Sequence, residues 1–486
     1  MKILLINPPY SRLRLTKECT EMVSPLGLVY LAAAAAADGF DVSIYDANYS
    51  GAERMRRMNG VKRLMESYHL YRDNLADGDH PVWRECYERI RAEAPDVIGI
   101  TALTPVLGAA KKLAAVCREA APGAVVVFGG FHPTCRPGDV LLDGSADAVV
   151  RGEGEETFVE LLGRVRDKLP YGDVAGVSVR ENGTVRSNPD RPLIEDLSKL
   201  PSIAGFIGHA AAGKLPVQYG RGCLFSCKFC SDSAVWRRKS RYIPAGRLAD
   251  ELAGIVRRHG AREFTFVDGT FNLHRERVME LCEEILKRRL KILWDALVRA
   301  DTLDDGMLAM CRRAGCVQMN VGVESGSPAV LRDLRKGTDL GAVREGIGRI
   351  RKHGIAAVSF FCAGMPPETA GDMKATRDLI LSLPHDYVIL HLFTPMPGSK
   401  YFDELESEGR INAGHDYDSF GYKSPGNYFT RNVGREEFER CRDEISKAAD
   451  RVNGRGRLVL KLLFNNLGFY IRRPRLLLRR ALQFVK

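Results

Sequence analysis

The 486-residue chain lacks any stretch of about 18 consecutive apolar residues, so no membrane-spanning helix is expected. The apolar start, Ile3-Leu4-Leu5-Ile6, is too short for a secretory signal and stops at Pro8-Pro9. It reads as a first β-strand, and the protein is expected to be cytoplasmic. There is no internal repeat and no low-complexity tract. The length exceeds one ordinary core and implies two to four domains. Acidic residues are missing from the end of the chain. From Arg451 to Lys486 there are ten Lys and Arg and no Asp or Glu. The formal net charge of +11 therefore belongs almost wholly to this tail, and the remainder is close to neutral.

That tail mixes large apolar residues (Leu458 to Phe464, Leu476 to Val485) with basic ones, joined by Arg472-Arg473-Pro474-Arg475. Two readings stand: a helix packed on the fold with its arginines in water, or an amphipathic element lying on a membrane surface. No RNA-binding domain accompanies it, so nucleic acid is not an expected partner. Of the 12 cysteines, nine are scattered singly (Cys19, Cys86, Cys117, Cys135, Cys282, Cys311, Cys316, Cys362 and Cys441) and read as structural thiols. The other three are clustered.

Strand-like and helix-like segments alternate along residues 1–190. Strands are expected at Ile3–Asn7, Val42–Tyr45, Val97–Thr101, Ala124–Phe128 and Ala148–Val150, with helices at Leu26–Asp38 and Val106–Glu119. Such alternation predicts a doubly wound α/β domain with a parallel sheet, whose ligands sit at the carboxyl ends of the strands. Asn48–Ala94 interrupts it as a polar, helical insertion. Val177–Asn188 carries Asn182-Gly183 and reads as a hairpin. A linker is expected over 191–210. A second alternation over 211–405 has strands at Gln218–Gly220, Glu263–Asp268, Leu293–Ala296, Val317–Val323, Ala356–Phe361 and Val388–Phe393, with helices such as Arg247–His259 and Val278–Arg288. Six βα units suggest a partial or full barrel. Residues 406–486 read as a helical, basic extension.

The clustered cysteines lie in Gly220-Arg221-Gly222-Cys223-Leu224-Phe225-Ser226-Cys227-Lys228-Phe229-Cys230, just after the first strand of the second unit. No second CxxC or paired histidine follows nearby, as a four-ligand zinc site would require. Three cysteines suit a [4Fe–4S] cluster with one iron left open. This C-x3-C-x2-C loop, with Phe229 before the third cysteine, resembles the signature of the radical S-adenosylmethionine (SAM) superfamily. The resemblance implies that Cys223, Cys227 and Cys230 hold the cluster, that SAM chelates the open iron, and that one-electron cleavage yields a 5′-deoxyadenosyl radical. It also implies that an external reductant such as flavodoxin or ferredoxin supplies the electron.

Further stretches resemble the same superfamily in order and spacing. Val267-Asp268-Gly269-Thr270-Phe271 stands where relatives bind the SAM amino group, although Asp-Gly-Thr replaces the commoner Asp-Asp. Gly322-Val323-Glu324-Ser325-Gly326-Ser327 resembles the ribose-contacting stretch, which makes Glu324 and Ser325 candidates. Arg299 matches an arginine that could pair with the SAM carboxylate; a surface ion pair is the competing reading. Ala363 to Thr369 and Pro395 to Ser399 resemble later strand-end loops.

The first domain resembles the cobalamin-binding class of this superfamily through Pro25-Leu26-Gly27-Leu28, Thr101-Ala102-Leu103, Gly129-Gly130-Phe131-His132-Pro133-Thr134 and Gly152-Glu153-Gly154-Glu155. The resemblance implies cobalamin contacts from Thr101, Leu103, Gly129, Gly130, His132, Pro133 and Glu153. A hydroxyl can bond the cofactor's nucleotide base, and glycines admit a bulky ligand close to the backbone. The Asp-x-His-x-x-Gly motif that supplies a lower cobalt ligand elsewhere is absent; the matching loop reads Asn7-Pro8-Pro9-Tyr10-Ser11. A scaffold that has lost cobalamin stays open at this point.

The expected architecture is therefore a Rossmann-like cobalamin-binding domain, a radical SAM partial TIM barrel and a helical C-terminal extension. The expected activity is cobalamin-dependent methylation of an unactivated carbon in a small molecule, with a lipid or terpenoid fitting the basic apolar tail and membrane association through that tail. A cyclase or rearrangement enzyme of the tetrapyrrole kind is the alternative within the family. A non-catalytic cobalamin or Fe–S sensor is the alternative from another class.

Overall fold

The computed structural model describes residues 1–14, 25–48, 61–207, 214–412, 414–421, 424, 426–454 and 457–471. Cys19, Arg472-Arg473-Pro474-Arg475 and Leu476 to Val485 lie outside the described residues. Short β-branched runs build the first sheet: β1 Lys2–Asn7, β2 Asp41–Asp46, β3 Val97–Thr101, β4 Val125–Gly129, β5 Ala148–Val150, β6 Val177–Glu181 and β7 Thr184–Ser187. Ile3 to Ile6, Val97, Ile98, Ile100, Val126 and Phe128 are buried, as strands covered on both faces must be. The order is β2-β1-β3-β4-β5-β6-β7, parallel from β2 to β5 and antiparallel beyond. Strand order reverses between β1 and β3, which opens a crevice at their carboxyl ends. The expected hairpin joins β6 to β7, with Asn182 and Gly183 both at positive φ, the backbone a two-residue type I′ turn needs. Within the insertion, the described residues form helices Val61–Ala76 and Pro81–Glu93.

The second sheet holds six parallel strands in the order β15-β14-β13-β12-β11-β8. These are β8 Leu215–Val217, β11 Glu263–Phe266, β12 Leu293–Val298, β13 Cys316–Glu324, β14 Ala356–Ala363 and β15 Tyr387–Leu392. β8 and β15 remain edges among the described residues, so the barrel is partial. The first strand lies three residues before the expected Gln218–Gly220. Pro216 lowers the strand signal of Leu215–Val217, yet an edge strand tolerates it. Tyr219 and Gly220 leave the sheet because their N–H groups donate to Asp268. Gly220 then enters a separate antiparallel pair, β9 Gly220–Arg221 with β10 Arg241–Tyr242, from which the cysteine loop hangs.

The expected linker is a packed strap. Leu193, Ile194, Leu197, Leu200, Ile203 and Ile207 are buried, and Arg247 and Glu251 of helix Ala245–His259 bond its backbone. The extension departs from expectation between 409 and 434. Apart from a short turn at Tyr417–Ser419, its described residues are irregular, in a stretch broken by Gly409, Gly414, Gly421, Gly426 and Gly434. This stretch packs Tyr417, Phe420 and Phe429 into the core of the first domain. Helix Arg435–Asn453 then covers the β15 edge, and the Asn453 side chain pairs with both backbone groups of Val388 (2.7 and 2.9 Å). Among the scattered cysteines, Cys86, Cys117, Cys282, Cys311 and Cys316 are buried, while Cys135, Cys362 and Cys441 are partly exposed.

Candidate active site

One cavity of about 860 Å³ lies between the two domains. Its first wall is the crevice at the β1/β3 switch point: Asn7, Pro8 and Tyr10 after β1, Thr101 and Leu103 after β3, and Gly129 and Gly130 after β4. The facing wall is the carboxyl end of the barrel: Cys223, Cys227 and Cys230, then Asp268, Arg299, Glu324 and Lys336. Opposed strand ends therefore bring both candidate cofactor regions into one space.

The cysteine loop is held at several points. Gly222 has φ +90, and a Cβ there would lie 1.9 Å from the Lys239 carbonyl oxygen. Only glycine permits that closure. Gly222→Ala is accordingly expected to displace the loop and to lower the iron content of reconstituted protein well below that of the wild type, as read by metal analysis. Further along, Lys228 N donates to Leu334 O, and Lys228 Nζ pairs with Asp333 (3.0 Å) and Glu404 (3.4 Å). The Arg299 guanidinium stacks 4.0 Å from the Phe225 ring centroid. Burial raises the pKa of the Cys227 and Cys230 thiols, so they are neutral until a metal displaces their protons.

Among the described residues, no three His, Cys, Asp or Glu side chains close around a single metal ion. All three clustered cysteines instead border the cavity. Three thiols on one loop beside open space fit a cube that bonds each thiolate to a different iron and leaves one corner for a small chelator. The first wall fits a large flat ligand, since Leu26, Leu28, Tyr30, Leu103, Val106 and Phe158 present apolar surface there. Among the described residues no histidine borders the cavity, so none of those described takes the place of the missing Asp-x-His-x-x-Gly ligand.

The structure sorts the remaining candidates. Phe229 lines the cavity, with Lys336 Nζ 5.9 Å from its ring centroid. Asp268 also lines it, but its carboxylate accepts the N–H groups of Tyr219 and Gly220 and so positions the cysteine loop; burial pushes its pKa up to about 7. Glu324 sits at φ +71 beside a register shift between β13 and β14, a strained backbone for a non-glycine residue. That kink aims its carboxylate at Lys336 Nζ, 2.9 Å away. Ser325 points elsewhere: its hydroxyl lies 3.2 Å from Thr376 Oγ1 and it does not border the cavity. Arg299 borders it, yet its guanidinium already binds Asp301 and the carbonyls of Lys336 and Gly337, leaving no free fork for a carboxylate.

In the first domain, Thr101, Leu103, Gly129 and Gly130 reach the cavity, and His132 and Pro133 do not. His132 is buried between Thr104 Oγ1 and Asp139 Oδ2, both at 3.1 Å, and packs its edge on Tyr417. Gly130 serves a close approach, though to protein: at φ +101 its Cβ would lie 2.7 Å from Ala102 O. Glu153 borders the cavity with both oxygens engaged. Oε1 accepts from Arg221 (2.7 Å), and Oε2 accepts from Arg241 (2.6 Å) and Ile194 N (2.8 Å). Arg221 also binds Glu155 (2.5 Å) and stacks over Tyr30 at 5.0 Å. This buried, charge-balanced group ties the two domains together.

Sequence reasoning missed Arg221, Tyr30, Trp236 and Lys336, all on the cavity wall. Arg221 carried a signal, since it precedes the first cysteine by two residues. Lys336 carried none, because a helix (Pro328–Asp333) separates it from Glu324. Behind the site, the loop after β14 buries Glu368, whose carboxylate accepts from Gly364 N (2.6 Å) and Met365 N (2.9 Å). Burial pushes its pKa up to about 8. A raised carboxyl stabilises the fold fully below its unfolded value near 4.3 and loses that contribution as pH rises through about 8. Glu368→Gln is therefore expected to gain stability over the wild type progressively between about pH 5 and 9, by on the order of a few kcal/mol. Urea midpoints across that range read it, and a pH-independent difference would refute it.

Comparison with known proteins agrees with this geometry. The model of the radical SAM superfamily matches residues 217–380, and that of the B12 binding domain matches residues 16–162. An uncharacterised methyltransferase of Pyrococcus horikoshii is 30% identical over 411 residues, covering 83% of either chain. The anaerobic magnesium-protoporphyrin IX monomethyl ester cyclase of Rubrivivax gelatinosus is 29% identical, covering 70% of this chain and 63% of that one. The radical S-adenosylmethionine methyltransferase TsrM of Kitasatospora setae, solved with cobalamin and a [4Fe–4S] cluster, superposes with a TM-score of 0.71 over 93% of this chain and 90% of that one; at 16% identity the likeness speaks for the fold. With the matching domains in the matching order and both facing one cavity, the chain belongs to the radical SAM enzymes that carry a B12-binding domain, and its cofactors are a [4Fe–4S] cluster, S-adenosylmethionine and cobalamin.

Proposed function

We propose that this enzyme methylates an unactivated carbon of a small, largely apolar molecule. The observation that carries the reading is the single cavity bordered by the cysteine loop and by the first domain's strand ends. When bound there, the cluster with SAM supplies a carbon-centred radical and the cobalamin supplies a methyl group. The chain's own residues shape the space. Arg299, fixed by Asp301 and Phe225, braces the cysteine loop. Glu324, neutralised by Lys336, offers carboxylate oxygens to ribose hydroxyls. Leu103 and Val267 turn apolar surface into the cavity and limit water there, which protects a reactive radical. A lipid or terpenoid substrate, a flavodoxin or ferredoxin reductant and contact with a membrane surface complete the proposal.

The test is anaerobic reconstitution with iron, sulfide and hydroxocobalamin, followed by SAM and reductant. Formation of both 5′-deoxyadenosine and methylcobalamin, read by mass spectrometry, is the expected result. Deoxyadenosine without methylcobalamin would favour the second reading, ring closure or rearrangement, which the relatives named as cyclases support.

A further inference from the structure

Ten large apolar side chains are well exposed among the described residues, and four of them share one place. Leu460 (39% exposed), Phe464 (71%), Leu467 (43%) and Ile471 (61%) stand on the helices Arg457–Asn465 and Leu467–Ile471. Their spacing of four, three and four residues puts them on one helical face. The other six are different in kind: Leu103 and Val267 border the active-site cavity, and the rest are scattered singly, as is ordinary on a protein surface.

The opposite face of these helices is firmly docked. Leu458, Leu462 and Tyr470 pack on Leu293, Val317, Ala356 and Val358, at the starts of β12, β13 and β14. Lys461 Nζ pairs with Asp386, and Tyr470 donates its hydroxyl hydrogen to Glu263. Arg312 donates to Asn466 Oδ1 (2.9 Å) and to Asn465 O (2.7 Å). The helices therefore close the amino-terminal end of the barrel, and the apolar stripe is the outer face of a fixed plug. Strands of six to nine residues, at about 3.3 Å each, put this face roughly 20–30 Å from the cavity.

The charge around the stripe narrows what can cover it. No Asp or Glu occurs after Asp450, and Ile471 runs directly into Arg472-Arg473-Pro474-Arg475. A second copy of the chain would bring a second run of the same positive charge, which is unfavourable. An apolar stripe followed directly in sequence by a run of arginines instead matches an anionic lipid surface, whose acyl boundary takes apolar side chains and whose phosphates attract positive charge. We infer that the amino-terminal end of the barrel docks on an anionic bilayer through Leu460, Phe464, Leu467 and Ile471, with the active-site cavity turned away from the membrane. This inference does not depend on the reaction at the cavity.

Co-sedimentation of the full chain with vesicles tests it. The wild type is expected to bind phosphatidylglycerol-containing vesicles and not pure phosphatidylcholine, with binding that weakens as salt rises. Phe464→Asp with Ile471→Asp changes two exposed side chains and should leave the melting temperature and 5′-deoxyadenosine formation unchanged, while weakening vesicle binding at least tenfold. Three results would each overturn the inference: no preference of the wild type for anionic vesicles; equal binding by the double variant; or conversion of a dimer to a monomer by the variant without vesicle binding, which would assign the stripe to a second copy. Truncation after Ile471 that abolishes binding while the double variant keeps it would also overturn it, assigning contact to the tail alone.

Discussion

Replacing Cys227 by alanine is expected to abolish 5′-deoxyadenosine formation while leaving a folded chain. Cys227 borders the cavity, and its sulfur makes only a long contact to Arg335 O at 4.0 Å. Losing it costs the fold on the order of 1 kcal/mol. The cluster is affected differently. With three protein thiolates, each iron except the open one has a single anchor, so removal of any one uncovers a second corner. Iron and sulfide content after anaerobic reconstitution should fall, together with the cluster absorbance, and no SAM cleavage should remain. Cys223→Ala and Cys230→Ala should behave alike. Cys441→Ala, on the distant helix Arg435–Asn453, should retain wild-type iron and turnover. If Cys227→Ala keeps full iron and activity, the assignment of the cluster to this loop is wrong.

The second large effect belongs to the ion group between the domains. Glu153→Leu removes the carboxylate shared by Arg221 and Arg241, both of which are buried. Glu155 still pairs with Arg221, but Arg241 then keeps only the Ile194 carbonyl, and two of its nitrogens already lack partners. An uncompensated buried cation costs about 3–5 kcal/mol. The denaturation midpoint should fall accordingly. Removing the stranded charge as well, in Glu153→Leu with Arg241→Leu, should recover at least half of the loss, because the two changes act on one network and do not add. Equal or greater loss in the double variant would show that the arginine is needed for packing rather than charge balance. Both variants should also weaken cobalamin retention on gel filtration, since this group borders the first wall of the cavity.

The sequence was most informative where chemistry or periodicity is local. The strand and helix alternation of both domains follows from short apolar runs separated by turns. The Asn182-Gly183 hairpin follows from the positive φ those residues accept. The C-x3-C-x2-C loop was legible because three ligands to one centre lie within eight residues. The limits appear where partners are distant in the chain. Pro216 disguised the first barrel strand, whose end is set by Asp268, 48 residues after Gly220. Glycines and aromatics in the 409–434 stretch gave no sign that it would fasten the barrel to the first domain instead of forming helix.

Residue roles divided in the same way. Spacing marked the cysteines, resemblance to the radical SAM superfamily marked Asp268 and Glu324, and the fold brings all of them to the cavity. Tertiary contacts decided that Arg299 braces the cysteine loop, that Glu153 joins the domains, and that Ser325, His132 and Pro133 face the protein interior. A charged or polar side chain takes the nearest partner that burial leaves it, and that partner is set by packing. What the sequence by itself determined was the three-thiol ligand set and the order of the motifs that resemble radical SAM enzymes, because ligand type and spacing are covalent facts. Only the tertiary structure decided that the cysteine loop and the first domain share one cavity, since that depends on opposing the carboxyl ends of two sheets more than a hundred residues apart.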